Sequence, residues 1–548
     1  MDDEEDDVMR AADWRRRPRV VAPELTDAWR RRGFRTEERI GDLLDHGATR
    51  WPDRPAIITA HGETSFAELA ATSAAVARTL LAGGVRPGDA VCWLLPTGPH
   101  AVAVAAAIWR IGAISSPIVP LYGPRELRAV LDQIRPAAVV TYGDDRRRAY
   151  PDEFDEALRD LGHEPAARLL TTGRSAGWRA ADGAGPGALP SGIEPAAPED
   201  PCLVLFTSGT ESEPKGVVHS VAGLRHELRT TVVEWGLTFR DRMVMASPIT
   251  HITGLLQGFM IPCQVGATAV LMERWDPAAC AELADRTGAT YMAGATPFLR
   301  ELLGVYAAEG RDRSPLRQYC CGGAAVPPDL IRQAGELGIA AYRAWGMTEL
   351  PTATLPNELD PLEFRAETDG RLAPGVELRV VDSSGRDAAP GETGELLLRG
   401  PEMMLGYVRE ELNAHAFTSD GWFRTGDLGS LGGDGQVRIT GRLKDVINRG
   451  GEKFSAREIE EAIVRHPDVA AVAIVAVPGG RLGERIGAVV VSEREDLTLE
   501  EVGRAVTGQG LARHKQPELL RVVRSLPTNP TGKINKAAVV KLFDPETG

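Results

Sequence analysis

Short apolar segments alternate with helix-like segments from about Gly62 to about residue 345. Ala90 to Leu95 is one of the strand-like segments, and a helix-like segment rich in Ala and Val follows it. Strands joined by helices in this way lie mostly parallel in a sheet, with the helices crossing over it. The alternation therefore predicts an α/β fold for this part of the chain.

Capping signals give several helix boundaries. Ser65 and Glu68 have the spacing of a capping box, and the helix that they open is expected to stop at Gly83. A further helix is predicted from about Pro124 to Ile134, and Asp276 precedes a proline in the manner of an N-cap.

The pattern changes along the chain and suggests three regions. Residues 1–40 carry an acidic run and then arginine clusters, which are typical of a solvated arm. After about residue 375 short strands and glycine turns dominate, and a second capping box at Ser455 opens a small α+β pattern. We expect an N-terminal arm (1–40), a large domain (41–443) and a small, mobile C-terminal domain (444–548).

Composition limits the function classes. The 548 residues are 43% hydrophobic and 26% charged, which excludes a disordered chain, and the net charge of −14 argues against a nucleic-acid binder. The six cysteines form no CxxC pair and fit a reduced cytosol. Asp2–Asp7 is acidic, unlike the start of a signal peptide, and the longest apolar run, Ala101–Trp109, is too short to span a membrane. These features predict a cytoplasmic protein.

One segment points to phosphate chemistry. The apolar stretch from Leu203 runs into a loop rich in Thr, Ser and Gly that ends near Lys215. Small residues let backbone N–H groups approach a phosphate, hydroxyls donate hydrogen bonds, and lysine adds charge. The spacing is not that of a Walker A loop. Taken alone, such a loop is more often a surface turn.

Further short motifs follow in order: Gly322-Gly323-Ala324, Trp345-Gly346-Met347-Thr348-Glu349, Gly426-Asp427, Gly441-Arg442-Leu443-Lys444-Asp445 and Pro530-Thr531-Gly532-Lys533. Together with the loop, they resemble the adenylate-forming superfamily, which includes acyl-CoA synthetases, luciferases and peptide-synthetase adenylation domains. The resemblance covers the chain after the N-terminal arm. It implies a large adenylate-forming domain followed by a small domain that changes orientation.

The resemblance assigns the ATP-binding residues. It implies that the β- and γ-phosphates are held by Thr207, Ser208, Gly209, Thr210 and Lys215. Glu211 and Ser212 depart from the Thr-Gly usual in the family, and a carboxylate beside pyrophosphate is electrostatically unfavourable unless it faces solvent or an arginine. The adenine side would comprise Gly322, Gly323, Ala324, Trp345 and Gly346, with Trp345 stacking on the base.

The remaining nucleotide contacts follow in the same way. Thr348 would contact the α-phosphate, and Glu349 would hold Mg²⁺ together with Thr210. Asp427 resembles the carboxylate that accepts both ribose hydroxyls, with Arg442 reaching the ribose or a phosphate.

The resemblance also implies two elements that act in successive steps of the reaction, namely a lysine used in adenylation and a hinge used before the acyl group is transferred. Lys533 corresponds to the lysine that bridges the substrate carboxylate and the α-phosphate, where a cation must offset two meeting anions. Lys444 falls at the hinge about which the small domain swings. After that swing, the face carrying Gly450 and Gly451 would replace Lys533 and open a path for a pantetheine thiol.

The resemblance also outlines an acyl pocket, lined by His251, Ile252, Thr253, Ala295, Ala344, Gly346 and Met347. His251 either guides the entry of carboxylate or thiol, or is a structural polar residue. Members restricted to acetate carry Trp where this chain has Gly346, so a medium aliphatic, alicyclic or aromatic acid is expected. Ile252 stands where amino-acid-activating domains carry an Asp, which argues against an α-amino acid substrate.

The implied activity is ligation of an acid to a thiol. A small carboxylic acid is adenylated with ATP and Mg²⁺, and coenzyme A then displaces AMP to give a thioester. Two alternatives stay open at this point. One is an aryl-acid adenylating enzyme that loads the pantetheine of a carrier protein, and the other is a non-catalytic adenylate-binding protein, which the departure at Glu211 mildly favours.

Overall fold

The computed structural model describes residues 14–15, 20–143, 145, 148–185, 187–207, 213–323, 325–449, 452–479, 483–528 and 534–544. Their organisation is mixed α/β, with a large N-terminal domain and a smaller C-terminal one. Among these residues, no helix combines the length and apolarity that crossing a bilayer requires.

Two mostly parallel sheets form the large domain, where the alternating pattern predicted a single sheet. The eight-stranded sheet has the order β17-β9-β8-β4-β3-β5-β6-β7 and consists of β3 (Ala90–Trp93), β4 (Ile114–Pro117), β5 (Ala138–Thr141), β6 (Ala167–Leu170), β7 (Arg179–Ala180), β8 (Pro201–Thr207), β9 (Lys215–Ser220) and β17 (Gly406–Tyr407). The seven-stranded sheet has the order β14-β13-β12-β10-β11-β1-β2 and consists of β1 (Pro55–Thr59), β2 (Gly62–Ser65), β10 (Arg242–Met245), β11 (Thr268–Leu271), β12 (Tyr291–Gly294), β13 (Gln318–Gly322) and β14 (Ala340–Ala344).

Helices cover both sheets. They span Pro23–Arg31, Leu43–Arg50, Phe66–Ala82, Pro99–Arg110, Pro124–Ile134, Tyr150–Asp160, Val221–Glu234, Ile252–Leu255, Leu256–Met260 (a π-helix), Ile261–Val265, Pro277–Thr287, Thr296–Ala308, Pro328–Glu336, Leu362–Glu367 and Asn413–Ala416. The capping box at Ser65 is present, with both reciprocal hydrogen bonds to Glu68, and the helix ends at Ala82 as predicted. Asp276 caps the helix Pro277–Thr287, also as predicted.

An antiparallel sheet leads into the C-terminal region, with the order β15 (Glu377–Val381), β16 (Gly394–Arg399), β18 (Phe423–Leu431) and β19 (Val437–Arg442). Beyond it lie the pair β20 (Val446–Arg449) and β21 (Glu452–Ser455) and the three-stranded sheet of β22 (Ala471–Pro478), β23 (Glu484–Val491) and β24 (Leu519–Val523). The helices here are Ala456–Ile463, Leu499–Gly508 and Lys536–Lys541.

The N-terminal segment differs from the expected solvated arm over residues 20–40. Trp29, on the helix Pro23–Arg31, is 1% exposed and packs in the main hydrophobic core. Arg35 is also buried, and its guanidinium donates to the carbonyl of Pro401 at 2.9 Å. The charged runs masked this packing, because a few apolar residues between them suffice to bury one face of a short helix.

Candidate active site

Some of the residues predicted to bind nucleotide lie where strands of the seven-stranded sheet end. Gly322 and Ala344 are register partners at the carboxyl ends of β13 and β14. The segment Trp345–Glu349 leaves the sheet directly after Ala344. In open α/β sheets, ligands bind at the carboxyl ends of strands, so this edge is where the fold positions a site.

The predicted phosphate loop connects two paired strands. Thr207, the last residue of β8, pairs with Lys215, the first residue of β9, so both ends of the loop are fixed by an antiparallel ladder. Lys215 Nζ lies 6.0 Å from the ring centroid of Tyr407. Ser208, Gly209 and Thr210 lie outside the described residues, as do Glu211 and Ser212. The described part of the loop therefore presents one cation at its exit.

Tyr407 links this lysine to the predicted metal-binding residue. Its hydroxyl donates to Glu349 Oε1 at 2.7 Å, and burial followed by the nearby Glu349 charge raises the pKa of Tyr407. Glu349 Oε2 has no hydrogen-bond donor among the described residues. A carboxylate with one oxygen held and one available suits Mg²⁺, which prefers oxygen ligands and keeps several waters or phosphates. The donor chemistry of Glu349 therefore fits the ion.

Thr348 is positioned by a histidine that sequence reasoning did not select. Nε2 of His219, on β9, lies 2.7 Å from the backbone carbonyl oxygen of Thr348, which makes Nε2 the donor. Burial lowers the pKa of His219 to about 4, so the ring is neutral at pH 7. This hydrogen bond ties the Thr348–Glu349 segment of one sheet to a strand of the other.

Trp345 and the predicted ribose carboxylate are in direct contact. The indole Nε1 of Trp345 donates to Asp427 Oδ2 at 2.8 Å, and Arg442 Nε lies 3.1 Å from Asp427 Oδ1. Asp427 and Arg442 are register partners on β18 and β19. Each carboxylate oxygen keeps a further lone pair, so Asp427 can still accept two hydroxyls. The structure thus assembles three nucleotide-binding candidates that lie far apart in sequence.

The predicted acyl-pocket residues lie at helix starts and against the main core. His251 caps the short helix Ile252–Leu255, with Nδ1 accepting from the N–H of Thr253 at 3.4 Å. Ile252 belongs to the main core cluster, and Ala344 and Met347 pack against that cluster. Ala295 precedes the helix Thr296–Ala308 as its N-cap.

Gly346 has a structural role that the sequence did not show. A Cβ at this position would lie 1.9 Å from the carbonyl oxygen of Pro351 and 3.2 Å from Cα of Thr352. The chain folds back here, since the N–H groups of Ala353 and Thr354 both donate to the carbonyl of Trp345. The sequence led us to expect that Gly346 leaves the pocket open. In the structure, the backbone of Pro351 and Thr352 fills the space that a side chain at this position would occupy.

The predicted hinge lies in a short 3₁₀ turn. Lys444 is the middle residue of Leu443–Asp445, which joins β19 to β20. Across this turn, Ser455 Oγ donates to the carbonyl of Thr440 at 2.7 Å. Lys533, Gly450, Gly451 and Ala324 lie outside the described residues. On either side of the lysine's segment, Thr528 and Ile534 pair in an antiparallel bridge.

Sequence reasoning missed His219 and Tyr407. Both reach the site through strand pairing, because β9 lies between β8 and β17 in the eight-stranded sheet. No local pattern marks them, since each is a polar residue that follows an apolar or glycine stretch of a strand.

Comparisons with known proteins agree with this geometry. Residues 44–408 match the family model of AMP-binding enzymes, and residues 458–533 match that of the AMP-binding enzyme C-terminal domain.

Several curated relatives align over nearly their whole length. Medium-chain fatty-acid–CoA ligase of Escherichia coli (strain K12) is 34% identical over 527 residues, covering 93% of this chain and 91% of that protein. Indoleacetate–CoA ligase of Aromatoleum aromaticum is 31% identical, covering 93% and 99%. Salicyl-AMP ligase / salicyl-S-ArCP synthetase of Mycobacterium tuberculosis is 32% identical, covering 95% and 94%.

Among solved structures, ATP-bound MatB from Rhodopseudomonas palustris superposes with a TM-score of 0.82 at 28% identity, covering 93% of this chain and all of that one. The family models, the full-length relatives and the shared fold agree with the motifs that the sequence carries. The chain therefore belongs to the AMP-binding enzymes of the adenylate-forming superfamily.

Proposed function

We propose that the protein activates a carboxylic acid with ATP to give an acyl-adenylate and pyrophosphate, and then transfers the acyl group to coenzyme A. The observation that carries this proposal is the contact with Asp427 of Trp345, which stands three residues before Thr348. This contact supports the proposal because it joins the carboxylate proposed to bind ribose to the aromatic ring proposed to stack on the base, close in the chain to the segment proposed to bind phosphate.

Different residues are proposed to bind different parts of ATP. Asp427 accepts the two ribose hydroxyls, while Arg442 holds the carboxylate in place from the neighbouring strand. Trp345 packs against the base, and Thr348 meets the α-phosphate from a backbone that His219 holds. Because these groups are fixed before ATP arrives, little reorganisation is needed when the carboxylate attacks in line.

Charge on the reacting groups is offset by cations. Glu349 would hold Mg²⁺, which when bound neutralises phosphate charge as the bond to pyrophosphate breaks. Tyr407 keeps Glu349 oriented through its 2.7 Å hydrogen bond. Lys215 stands at the exit of the phosphate loop, and Lys533 is proposed to bridge the two reacting anions.

Coenzyme A is the proposed acceptor, and Lys444 the proposed hinge between a domain of residues 41–443 and one of 444–548. Relatives that are CoA ligases support this acceptor. A carrier-protein pantetheine is the second candidate, because one relative is named as a salicyl-S-ArCP synthetase. We place the protein in the cytoplasm, which is supported by six free, buried cysteines.

The test is pyrophosphate release across a panel of aliphatic, alicyclic and aromatic acids, with and without coenzyme A. Turnover that requires coenzyme A and yields a thioester is expected. Adenylate without thioester would shift the acceptor to a carrier protein. Release with none of the acids would contradict the proposal.

Lys533→Ala separates the half-reactions. Since that lysine is proposed to act only in adenylation, pyrophosphate release should fall by about 100-fold or more, comparable to losing one charge-stabilising group. Thioester formation from supplied acyl-adenylate should be largely retained. Lys541→Ala, at an exposed site on the helix Lys536–Lys541, is the matched control. Equal loss in both half-reactions would refute the role of Lys533.

A further inference from the structure

A buried carboxyl group that the proposed chemistry does not use is linked through Thr352 to Gly346, one of the predicted acyl-pocket residues. Glu227, on the helix Val221–Glu234, is 0% exposed. Its Oε1 accepts from Thr352 Oγ1 at 2.6 Å and from Thr231 Oγ1 at 3.0 Å. Its Oε2 is buried and has no hydrogen-bond partner among the residues that the structure describes.

Thr352 places this carboxyl next to the predicted pocket. Cα of Thr352 lies 3.2 Å from where a Cβ of Gly346 would be. The hydroxyl of the same Thr352 is bonded to Glu227, so one residue separates the carboxyl from the Gly346 backbone.

Strand alternation connects Cys320, whose thiol feels the charge of Glu227, to the same region of the sheet. Side chains two residues apart on a strand share a face, so Cys320 lies on the face of Gly322, and Tyr342 on the face of Ala344. Burial chiefly raises the pKa of the Cys320 thiol, and the nearby charge of Glu227 adds to that rise. The carboxyl therefore adjoins the sheet face that carries the predicted pocket residue Ala344.

An unpartnered buried oxygen is costly, so a further hydrogen-bonding group is expected to complete the site. Burial raises the pKa of Glu227 to about 7, so both protonation states are accessible near neutral pH. Protonated Oε2 needs an acceptor, and ionised Oε2 needs a donor. A hydroxyl group serves as either, whereas an ammonium group suits only the ionised form.

We propose that Glu227 Oε2 binds a hydroxyl group on the acyl substrate, at the end remote from the reacting carboxylate. The inference rests on the proposed function and narrows its substrate class to hydroxy acids. Thr352 and Thr231 both donate to Oε1, which leaves Oε2 as the oxygen available to a further hydrogen-bonding group.

The first experiment uses the wild-type enzyme and pairs of acids in which a methyl group replaces the hydroxyl. Suitable pairs are 3- and 4-hydroxybenzoate against the methylbenzoates, and 5-hydroxypentanoate and 6-hydroxyhexanoate against hexanoate and heptanoate. In at least one pair, kcat/KM for pyrophosphate release should favour the hydroxy acid by roughly 10- to 100-fold, because the methyl analogue leaves Oε2 unpaired.

Variants then attribute the preference to this oxygen. Glu227→Leu should abolish it, lowering kcat/KM for the hydroxy acid more than for the methyl acid. Glu227→Gln should keep part of it, since an amide still bonds a hydroxyl. Thr230→Val is the matched control, because it removes from the same helix a hydroxyl that bonds the backbone carbonyls of His226 and Glu227, and it should keep the preference.

The outcomes separate the two proposals. Pyrophosphate release with equal or better use of every methyl acid would overturn the hydroxyl site while leaving acid activation intact. A strong preference for 6-aminohexanoate that Glu227→Gln eliminates would also overturn it, in favour of an ammonium site. No release with any acid would refute the proposed function itself.

Discussion

His219 is a buried side chain that positions the backbone of Thr348 and makes the stability of the folded chain depend on pH. Its Nε2 donates to the Thr348 carbonyl, while Nδ1 is buried with no partner among the described residues. Protonating the ring would put a charge and an unpaired N–H in the core. The folded state therefore holds the neutral form, with the pKa lowered from 6.5 to about 4 by burial.

This shift predicts a loss of stability in acid. Between pH 6.5 and about 4 the unfolded chain binds a proton at His219 that the folded chain does not, so the free energy of unfolding falls as pH falls. The shift corresponds to about 3 kcal/mol across that window. His219→Gln, which can still donate to Thr348, should flatten the dependence in urea unfolding measured from pH 7 to 4.

Burial also lowers the pKa of His226 to about 4, so this residue contributes to the same loss of stability in acid. His219→Gln should therefore remove only part of the pH dependence of the free energy of unfolding. His415→Gln, at an exposed position, should leave the profile unchanged. An unaltered slope in His219→Gln would show that the residue is not held neutral.

Residues at the site differ in how far the sequence could predict them. Trp345, Glu349 and Asp427 stand within recognisable motifs, and the structure brings them to one edge. Tyr407 has no motif of its own, and it meets Glu349 only because β17 pairs with β9. Contacts made by pairing of distant strands are not encoded in local spacing, so they escape a reading of one chain.

At the scale of elements, the last helix is fastened to the hinge region. Lys536, at the first turn of the helix Lys536–Lys541, lies 3.3 Å from Asp445 and 3.1 Å from Glu460. Burial by itself lowers the pKa of Lys536, and the two carboxylates outweigh it, so the net pKa is raised. One lysine thus joins the C-terminal helix, the 3₁₀ turn and the helix Ala456–Ile463.

Removing this lysine should weaken the small domain. Lys536→Met leaves the carboxylates of Glu460 and Asp445 without their cation. Because the Lys536 side chain is 27% exposed, the cost should be about 2 kcal/mol, between the values for exposed and for buried ion pairs. Urea unfolding followed by circular dichroism measures the loss. Lys536→Arg should restore most of it, and Lys541→Met, on the exposed side of the same helix, should cost little. Equal stability of Lys536→Met and wild type would show that these two ion pairs do not stabilise the small domain.

Elements with local signals were predictable, and their assembly was not. The helices beginning at Phe66 and Pro277 and the helix Pro124–Ile134 are where their caps and prolines predicted. The division of the alternating pattern into two sheets was not foreseen. Strand order depends on packing between helices and sheets that lie far apart in sequence, and periodicity carries no record of it.

At the scale of the whole molecule, hydrogen bonds join the two domains. Ser455 Oγ donates to Thr440 across the proposed hinge, and Arg300 donates to the carbonyl of Ala470. A Cβ on Gly441 would lie 3.9 Å from Cβ of Ser455, close to the spacing of a disulfide. These residues lie on opposite sides of Lys444 and offer a way to lock it.

The double variant Gly441→Cys/Ser455→Cys should form a disulfide on oxidation and block rotation at Lys444. Because the complete reaction is proposed to use two domain orientations, steady-state thioester formation should fall by about tenfold or more. Reduction with dithiothreitol should restore the activity of the same protein, and each single variant controls for its own substitution. Full turnover in the cross-linked enzyme would refute the need for rotation.

The distribution of cysteines has a practical consequence for following motion in this molecule. All six thiols are buried and lie between residues 92 and 321, in the large domain. A chromogenic thiol reagent can reach them only when that domain opens, so its reaction rate under native conditions measures how often such openings occur. Residues 444–548 contain none of the six cysteines, so the reorientation proposed for them would not change this reaction rate. Labelling thus separates breathing of the large domain from reorientation of the small one.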